Sequence, residues 1–378
     1  MQIIPVASGK GGVGKSLLSA NLAIALGQAN KKVLLVDLDL GASNLHLVLG
    51  VQAPKFGIGT FLTGSSPFEN ILLKTSYPNL TFIAGDSEIP GLSAIKVSQR
   101  NNLIRNLLKT DADYLILDLG AGTHLGILDF FLMSTQGIIV TAPSVTATLN
   151  AYLFLKNAVF RLMYSSFKKG SPAWKRLESL KKDATSLQRM YIPRIIEEIS
   201  LVDPESADKF RKRIASFHPR LVMNMIDDPK DADKALKIRR SCKEYLNIDL
   251  EHLGVIYRDS IQDTALASRL PVIIYKPQSI LAQAVYRIAD KIIQSETDPL
   301  QDIESFVDDS FLTAEMEATI DNESRMNYVE ELVGSGALSM GDLAETIKSQ
   351  QYEISVLRKE NLLLKNKISQ ALQQGFRI

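Results

Sequence analysis

The stretch "SGKGGVGKS", residues 8–16, decides the fold. It contains G-x-x-x-x-G-K-[ST] as Gly9-Lys10-Gly11-Gly12-Val13-Gly14-Lys15-Ser16. The apolar run "IIPVAS" at 3–8 precedes it, and the pattern "SLLSANLAIALGQAN" at 16–30 follows, with Leu18, Leu22 and Leu26 on one helical face. A strand, a glycine loop and a helix in that order is the context this motif requires. The glycines let backbone N–H groups wrap phosphates. Lys15 is placed to reach the terminal phosphates and Ser16 to coordinate magnesium. The motif needs one lysine, yet the loop carries a second, Lys10.

Outward from this loop, short apolar runs recur, each closed by polar or glycine punctuation. They are "KVLLVDLD" at 32–39, "LTFIAG" at 80–85, "YLILDLG" at 114–120, "GIIVTAP" at 137–143, "RLVMNMI" at 220–226, "LGVI" at 253–256 and "PVIIY" at 271–275. Near-continuous apolar runs read as strands buried on both faces. With helical patterns between them, including "QSILAQAVYRIADKIIQ" at 278–294, they predict an α/β, doubly wound, mostly parallel sheet over residues 1–297.

Two regions interrupt this pattern. Residues 156–219 hold no convincing strand and many basic residues: Lys156, Arg161, Lys168, Lys169, Lys175, Arg176, Lys181, Lys182 and Arg189. They predict a helical insertion whose charge is either a solvated face or a binding surface. Residues 298–339 are acidic and sheet-poor, expected as a linker or loosely docked helices.

The C-terminal stretch, 340–374, reads as heptads. Positions a are Ile347, Ile354, Asn361 and Ile368, and positions d are Gln350, Leu357, Leu364 and Ala371. Glu353 with Arg358 and Glu360 with Lys365 have the g-to-e spacing that pairs parallel chains, and a lone Asn at a fixes register. A parallel dimeric coil is favoured over a single amphipathic helix packed on the domain.

The chain has 378 residues, 46% hydrophobic and 22% charged, with a net charge of +1. Whole-chain charge therefore selects neither nucleic acid nor acidic ligands, and such binding would need local patches. Cys242 is the single cysteine, which fits a reducing cytosol and leaves no intramolecular disulfide or cysteine-ligated cluster without a second subunit. No leader or membrane-spanning run is visible, so a cytoplasmic protein is expected, with any contact at the inner membrane or a cell pole peripheral.

Carboxylates stand at strand ends beside the loop. Asp37 and Asp39 end "KVLLVDLD", and Asp118 ends "YLILDLG". In P-loop enzymes one strand-end Asp supports magnesium and another residue orients the attacking water. Asp118 fits the first role. Asp39 fits the second, since it leads into the glycine-bearing loop "LGASNL".

The segments "SGKGGVGKS", "VLLVDLDLGASNLHLVLG", "YLILDLGAG" and "IIVTAPSVTATLNAYLFLK" resemble the MinD/ParA family of deviant-Walker ATPases, on the MinD and FlhG (FleN) branch. The resemblance covers about residues 1–160 and 219–293. It implies a slow, partner-stimulated ATPase using ATP and Mg2+, whose ATP-dependent homodimer governs the position or number of a flagellar, polar or division-site structure through an activating or cargo protein. It implies that Lys10 crosses to the phosphates of the other subunit, and that Lys10, Lys15 and Asp39 carry catalysis. Asn44 becomes the switch-loop neighbour of Asp39, and Asp118, Gly120 and Gly122 the second switch. Asn224 would read adenine. Nucleotide contacts then comprise Gly9 to Leu17, including Leu17 itself, with Asn44, Gly122 and Asn224; magnesium contacts comprise Ser16, Asp39 and Asp118. The physical reading agrees: a cation delivered from another chain stabilises charge in the transition state, and ATP offers it a partner that ADP lacks.

The chain departs from both branches. FlhG proteins usually carry an N-terminal extension with a glutamine-containing motif, whereas here the first strand begins almost at Met1. MinD ends in a short amphipathic membrane helix, whereas here the heptads stand. The alternatives are a scaffold with slow or vestigial turnover, a ParA-like partition protein binding non-specific DNA through the basic insertion, and an iron–sulfur carrier, which Cys242 alone disfavours. If the heptads pair, the two subunits are tethered before ATP closes them.

Overall fold

A computed structural model describes residues 1–40, 43–85, 95–182, 191–295 and 303–334, with isolated positions at 341, 348, 351, 355 and 364. Its strands are β1 (Gln2–Ala7), β2 (Val33–Leu38), β3 (Leu73–Lys74), β4 (Leu80–Ile83), β5 (Tyr114–Leu119), β6 (Ile138–Thr141), β7 (Arg220–Ile226) and β8 (Glu251–Tyr257). They form one sheet in the order β3-β4-β2-β5-β1-β6-β7-β8. All neighbours are parallel except β3 with β4. Every residue of β2 and β5 is buried, as continuous apolar runs covered on both faces require.

The helices are α1 (Lys15–Gln28), α2 (Leu45–Val48), α3 (Ile58–Leu62), α4 (Val97–Leu108), α5 (Leu125–Phe131), α6 (Val145–Ser166), α7 (Pro172–Lys182), α8 (Ile192–Val202), α9 (Pro204–Ala215), α10 (Asp233–Ser241), α11 (Ile261–Ala267), α12 (Val272–Tyr275), α13 (Ile280–Gln294) and α14 (Ile303–Gly334). One core holds Leu18, Leu22 and Leu26 of α1 with Val285 and Ile288 of α13. The other holds Phe131 of α5, Phe154 of α6 and Phe210 of α9. The sheet separates them, so the doubly wound expectation holds. Within 156–219 the described residues include the end of α6 and the helices α7, α8 and α9, and no strand.

Three local readings change. "PVIIY" at 271–275 is not a strand: Val272–Tyr275 is a helical turn entered through Pro271. Its buried Ile273 takes part in the first core, and its N–H donates to Asn21 Oδ1 at 3.0 Å. A four-residue apolar run does not distinguish a buried strand from a buried turn. The strand read at 253–256 starts earlier, at Glu251, whose carboxylate is buried against Arg220 at 2.8 Å. Charge pairing hid those residues from an apolar pattern. The two-residue antiparallel edge β3 carried no signal.

The acidic stretch contains the long helix α14. Val307, Phe311, Ala314, Ala318 and Asp321 are buried at helical spacing. Tyr257 Oη donates to Ala318 O at 2.7 Å, Ser310 Oγ accepts from His252 N at 3.0 Å, and Lys291 pairs with Glu317 at 2.8 Å. Where the sequence suggested a linker or loose docking, residues 303–321 are held by a packed face. They belong to a compact unit, Met1–Asp321; a second, Asn322–Ile378, is described to Gly334 and at the isolated positions. The heptads at 340–374 lie outside the described residues, apart from 341, 348, 351, 355 and 364.

His252 lies 2% exposed on β8, its ring centroid 5.0 Å from that of Phe311 on α14. Burial, reinforced by the Lys291 charge, pushes its pKa down to about 3. The folded chain thus resists a proton that the unfolded chain accepts near the ordinary value of 6.5. Stability is full above that value and falls as pH drops towards 3. Acidifying from pH 6.5 to 4.5 should cost on the order of 2–3 kcal/mol through this residue. Thermal melts across that range should show the loss, and His252→Phe should flatten it. An equal slope in the variant would place the acid sensitivity elsewhere.

Candidate functional site

The phosphate loop occupies the carboxyl end of central β1, where an open α/β sheet places its ligand crevice. Gly14 precedes α1 with φ 84°, and Gly12 has φ 77°, both left-handed values that suit glycine. Close packing holds the loop's underside. A Cβ on Gly9 would lie 2.1 Å from Asn150 O on α6, and one on Gly14 2.1 Å from Asn224 Nδ2. Over Gly11 and Gly12 a Cβ would meet nothing within 4 Å. The open side of the loop therefore has room for phosphates, with backbone N–H groups and the start of a 14-residue helix beneath.

Lys15 lies 6% exposed and its Nζ donates to Asp118 Oδ1 at 2.9 Å and Ser16 Oγ at 3.1 Å. Asp118 also accepts from Ser16 Oγ at 2.7 Å and Ser19 Oγ at 2.8 Å. Predicted Lys15, Ser16 and Asp118 are thus one hydrogen-bonded cluster. Hydroxyl and carboxylate oxygens suit magnesium, which fills the rest of its shell with phosphate oxygens and water. The adjacent Ser16 hydroxyl and Asp118 carboxylate, beside the phosphate loop, fit a nucleotide-bound magnesium ion.

Asp39 leaves β2 half-buried, above Gly120, where a Cβ would come within 2.9 Å of its Oδ1. Burial raises its pKa; the Lys15 charge opposes this and Asp118 adds to it. Gly122 has φ 102°, and its N–H donates to Ser8 O at 3.3 Å. Asn44 precedes α2 and is exposed. Asp37 is the brace of this corner. It accepts from Ser43 Oγ at 2.6 Å, Asp39 N at 3.0 Å and Leu45 N at 3.3 Å. Burial, with Asp118 nearby, lifts it to about 6.

Asn224 stands under the loop. It is 3% exposed, donates to Val13 O at 2.8 Å and accepts from Met225 N at 2.9 Å. A cleft of about 470 Å³ runs alongside, between Lys10–Val13, Pro143 and Ala147 on one part and Met225 and Arg258 on another. Lys10 is exposed at its mouth, and its Nζ donates to Thr146 Oγ1 at 3.1 Å. The two lysines thus point to different surroundings: Lys15 into the buried cluster, Lys10 to the surface.

Sequence reading missed Ser19, Ser43 and the bracing role of Asp37. Ser19 carried a usable signal, being one turn beyond Lys15 on a helix whose other faces are apolar. The link of Ser43 to Asp37 depends on how the loop after β2 folds back, which spacing does not give.

A glycine loop at the end of a central parallel strand, with a helix-borne Lys-Ser pair bonded to a neighbouring strand-end Asp, defines a P-loop nucleotide-binding protein. A family model described as "ParA: NUBPL iron-transfer P-loop NTPase" matches residues 1–156. The Helicobacter pylori flagellum site-determining protein YlxH is 31% identical over 211 residues, 53% of this chain and 71% of that protein. The chain belongs to the MinD/ParA family of P-loop ATPases. The septum site-determining protein MinD of Synechocystis is 36% identical over 152 residues, 40% of this chain and 56% of that protein; the chain thus spans little more than half the length of such MinD relatives. The fold is similar to that of Pyrococcus horikoshii MinD complexed with Mg-ADP, with a TM-score of 0.51 and 22% identity over 79% of this chain and 99% of that one.

Proposed function

We propose that this protein is an ATP-driven positioning switch. ATP binding closes two chains face to face, and hydrolysis releases them. The closed pair engages the structure, of flagellar, polar or division-site type, whose placement or number it sets. The observation that carries this reading is the division of the loop lysines. Lys15 is buried and bonded to Asp118, whereas Lys10 is exposed at the loop front with Thr146 as its side-chain partner.

Lys15 and the loop N–H groups bind the phosphates in cis. Ser16, Asp39 and Asp118 would hold magnesium, which would supply positive charge to neutralise the phosphates. Lys10 reaches the phosphates of the second chain and stabilises charge as the terminal bond breaks, as an arginine finger does. Asp39, with its raised pKa, orients the attacking water and accepts its proton. Leu17 and Gly122 line the phosphate side. Asn44 couples the β2 loop to this state, and Asn224 supports the base side of the cleft through Val13. An activator acts on the closed pair, in the cytoplasm or at a peripheral site; no described helix is long and apolar enough to cross a membrane.

The heptads at 340–374 add a parallel coil to the proposal. Two subunits already tethered would open and close at high effective concentration. Asp39→Ala tests both points. In ATP it should sediment faster than in ADP, either as a monomer becoming a dimer or as a tethered dimer becoming compact. Identical sedimentation in both nucleotides would refute ATP-driven closure.

Two alternatives have less support. A cluster carrier needs paired cysteines, and Cys242 is single and wholly buried. DNA partition would lean on the basic insertion, yet three of its described arginines are engaged within the chain: Arg161 with Asp129 at 2.6 Å, Arg176 with Glu198 at 2.7 Å, and Arg213 with Ser165 Oγ at 2.7 Å.

A further inference from the structure

Five lysines of the insertion behave differently from Arg161, Arg176 and Arg213. Lys168, Lys169, Lys175, Lys209 and Lys212 are exposed, and their side chains make no hydrogen bond or ion pair among the described residues. Lys168 and Lys169 sit on the turn between α6 and α7, which closes through Ser171 N to Lys168 O at 3.0 Å and turns at Gly170 with φ 85°.

A second turn meets this one. Helix α8 ends on Leu201 and Val202, which are 86% and 56% exposed, and α9 starts at Pro204. The intervening Asp203 caps α9 by accepting from Ser206 N at 3.2 Å, and its other oxygen accepts from Ala173 N, at the start of α7, at 3.3 Å. The rings of Phe167, which follows α6, and Phe210 of α9 pack edge to face at 6.3 Å. Both turns therefore share one corner of the insertion. Asp203 is occupied as a cap, and Glu205 is the exposed acid on the following turn.

Single exposed aliphatics are ordinary. Here two adjacent ones end α8 at a corner that is bonded to the start of α7, just after the turn that carries two exposed lysines. We propose that this corner is a docking tip for an anionic lipid surface, with Leu201 and Val202 entering the headgroup–acyl boundary and Lys168 and Lys169 contacting lipid phosphates. An exposed aliphatic pair needs no matching cavity in a soft interface, and long lysine stems keep their charge at headgroup level. Nucleic acid gains nothing from Leu and Val, since base stacking uses aromatic rings. The tip is distinct from the nucleotide cleft, and its function stands or falls separately from ATP-driven closure.

Flotation of the full chain with phosphatidylcholine vesicles, with and without phosphatidylglycerol, tests the tip. Binding is expected on the anionic vesicles, weakened by salt, and not on phosphatidylcholine alone. Each lysine near the surface contributes about fivefold, so K168E/K169E should lose at least about tenfold. The double variant L201D/V202D should lose about tenfold or more. All four side chains are solvent-facing, so both variants should melt like the wild type and keep ATP-dependent sedimentation. The proposal is overturned by absence of flotation on anionic vesicles, by wild-type flotation of either variant, or by retention on duplex DNA that Leu201 and Val202 do not affect.

Discussion

Replacing Lys15 with alanine should abolish ATP binding and destabilise the folded chain at once. The two effects share one cause. Lys15 and Asp118 form an ion pair at 2.9 Å with side-chain exposures of 7% and 1%. Removing the ammonium leaves the Asp118 carboxylate with the hydroxyls of Ser16 and Ser19 as donors but with no compensating charge, and with Asp37 close by. Breaking a buried pair in this way costs about 3–5 kcal/mol, which lowers the melting temperature of a domain this size by on the order of 10 °C. Isothermal titration should detect no ATP binding. The double variant Lys15→Ala/Asp118→Asn separates the causes. It should recover much of the stability, because the stranded charge is gone, and none of the binding. A Lys15→Ala protein that melts like the wild type would show that the pair does not have this structural role.

Replacing Lys10 with alanine should give the opposite pattern. Lys10 is exposed and its bond to Thr146 is a surface hydrogen bond, worth at most about 1 kcal/mol. The melting temperature should stay within a degree or two of the wild type, and ATP should still bind. Turnover should fall by about a thousandfold or more, the scale on which a trans-acting cation supports phosphoryl transfer. ATP-dependent sedimentation should be lost with it. A weakened KM with unchanged kcat would instead mean that Lys10 only helps to hold nucleotide in its own subunit.

These two residues also show how much of the molecule was legible in the sequence. The Lys15 cluster was largely readable, because a glycine loop between an apolar run and a helix admits few folds, and Asp118 ends an apolar run of its own. The sheet was readable wherever runs such as "VLLVDL" were continuous, since burial on both faces leaves no alternation. It was unreadable where burial is achieved by charge pairing, as at Glu251, or where four apolar residues form a turn, as at 272–275. Asn224 was placed at the right strand end, yet its contact with Val13 depends on a strand bulge and on Met225 with φ 59°. The fastening of α14 by Tyr257, His252 and Lys291 was likewise out of reach, because those residues lie far away in sequence. Composition could not separate Arg161, Arg176 and Arg213, which pair within the chain, from exposed lysines such as Lys168 and Lys169.

The central claim is that Lys10 serves the nucleotide of another chain. Mixing two inactive proteins tests it most directly. The Lys10→Ala chain keeps Asp39 and the intact cluster around Lys15. The Asp39→Ala chain lacks the carboxylate proposed to orient water but still presents Lys10. In a mixed pair, the Lys10→Ala subunit has a complete site once its partner supplies the lysine. ATP turnover of the two chains co-expressed in equal amounts, so that tethered subunits also pair at random, should therefore return to about a quarter of the wild-type value, the share expected with one working site in each mixed dimer. A mixture no more active than the sum of its two components would contradict the account and return Lys10 to its own subunit.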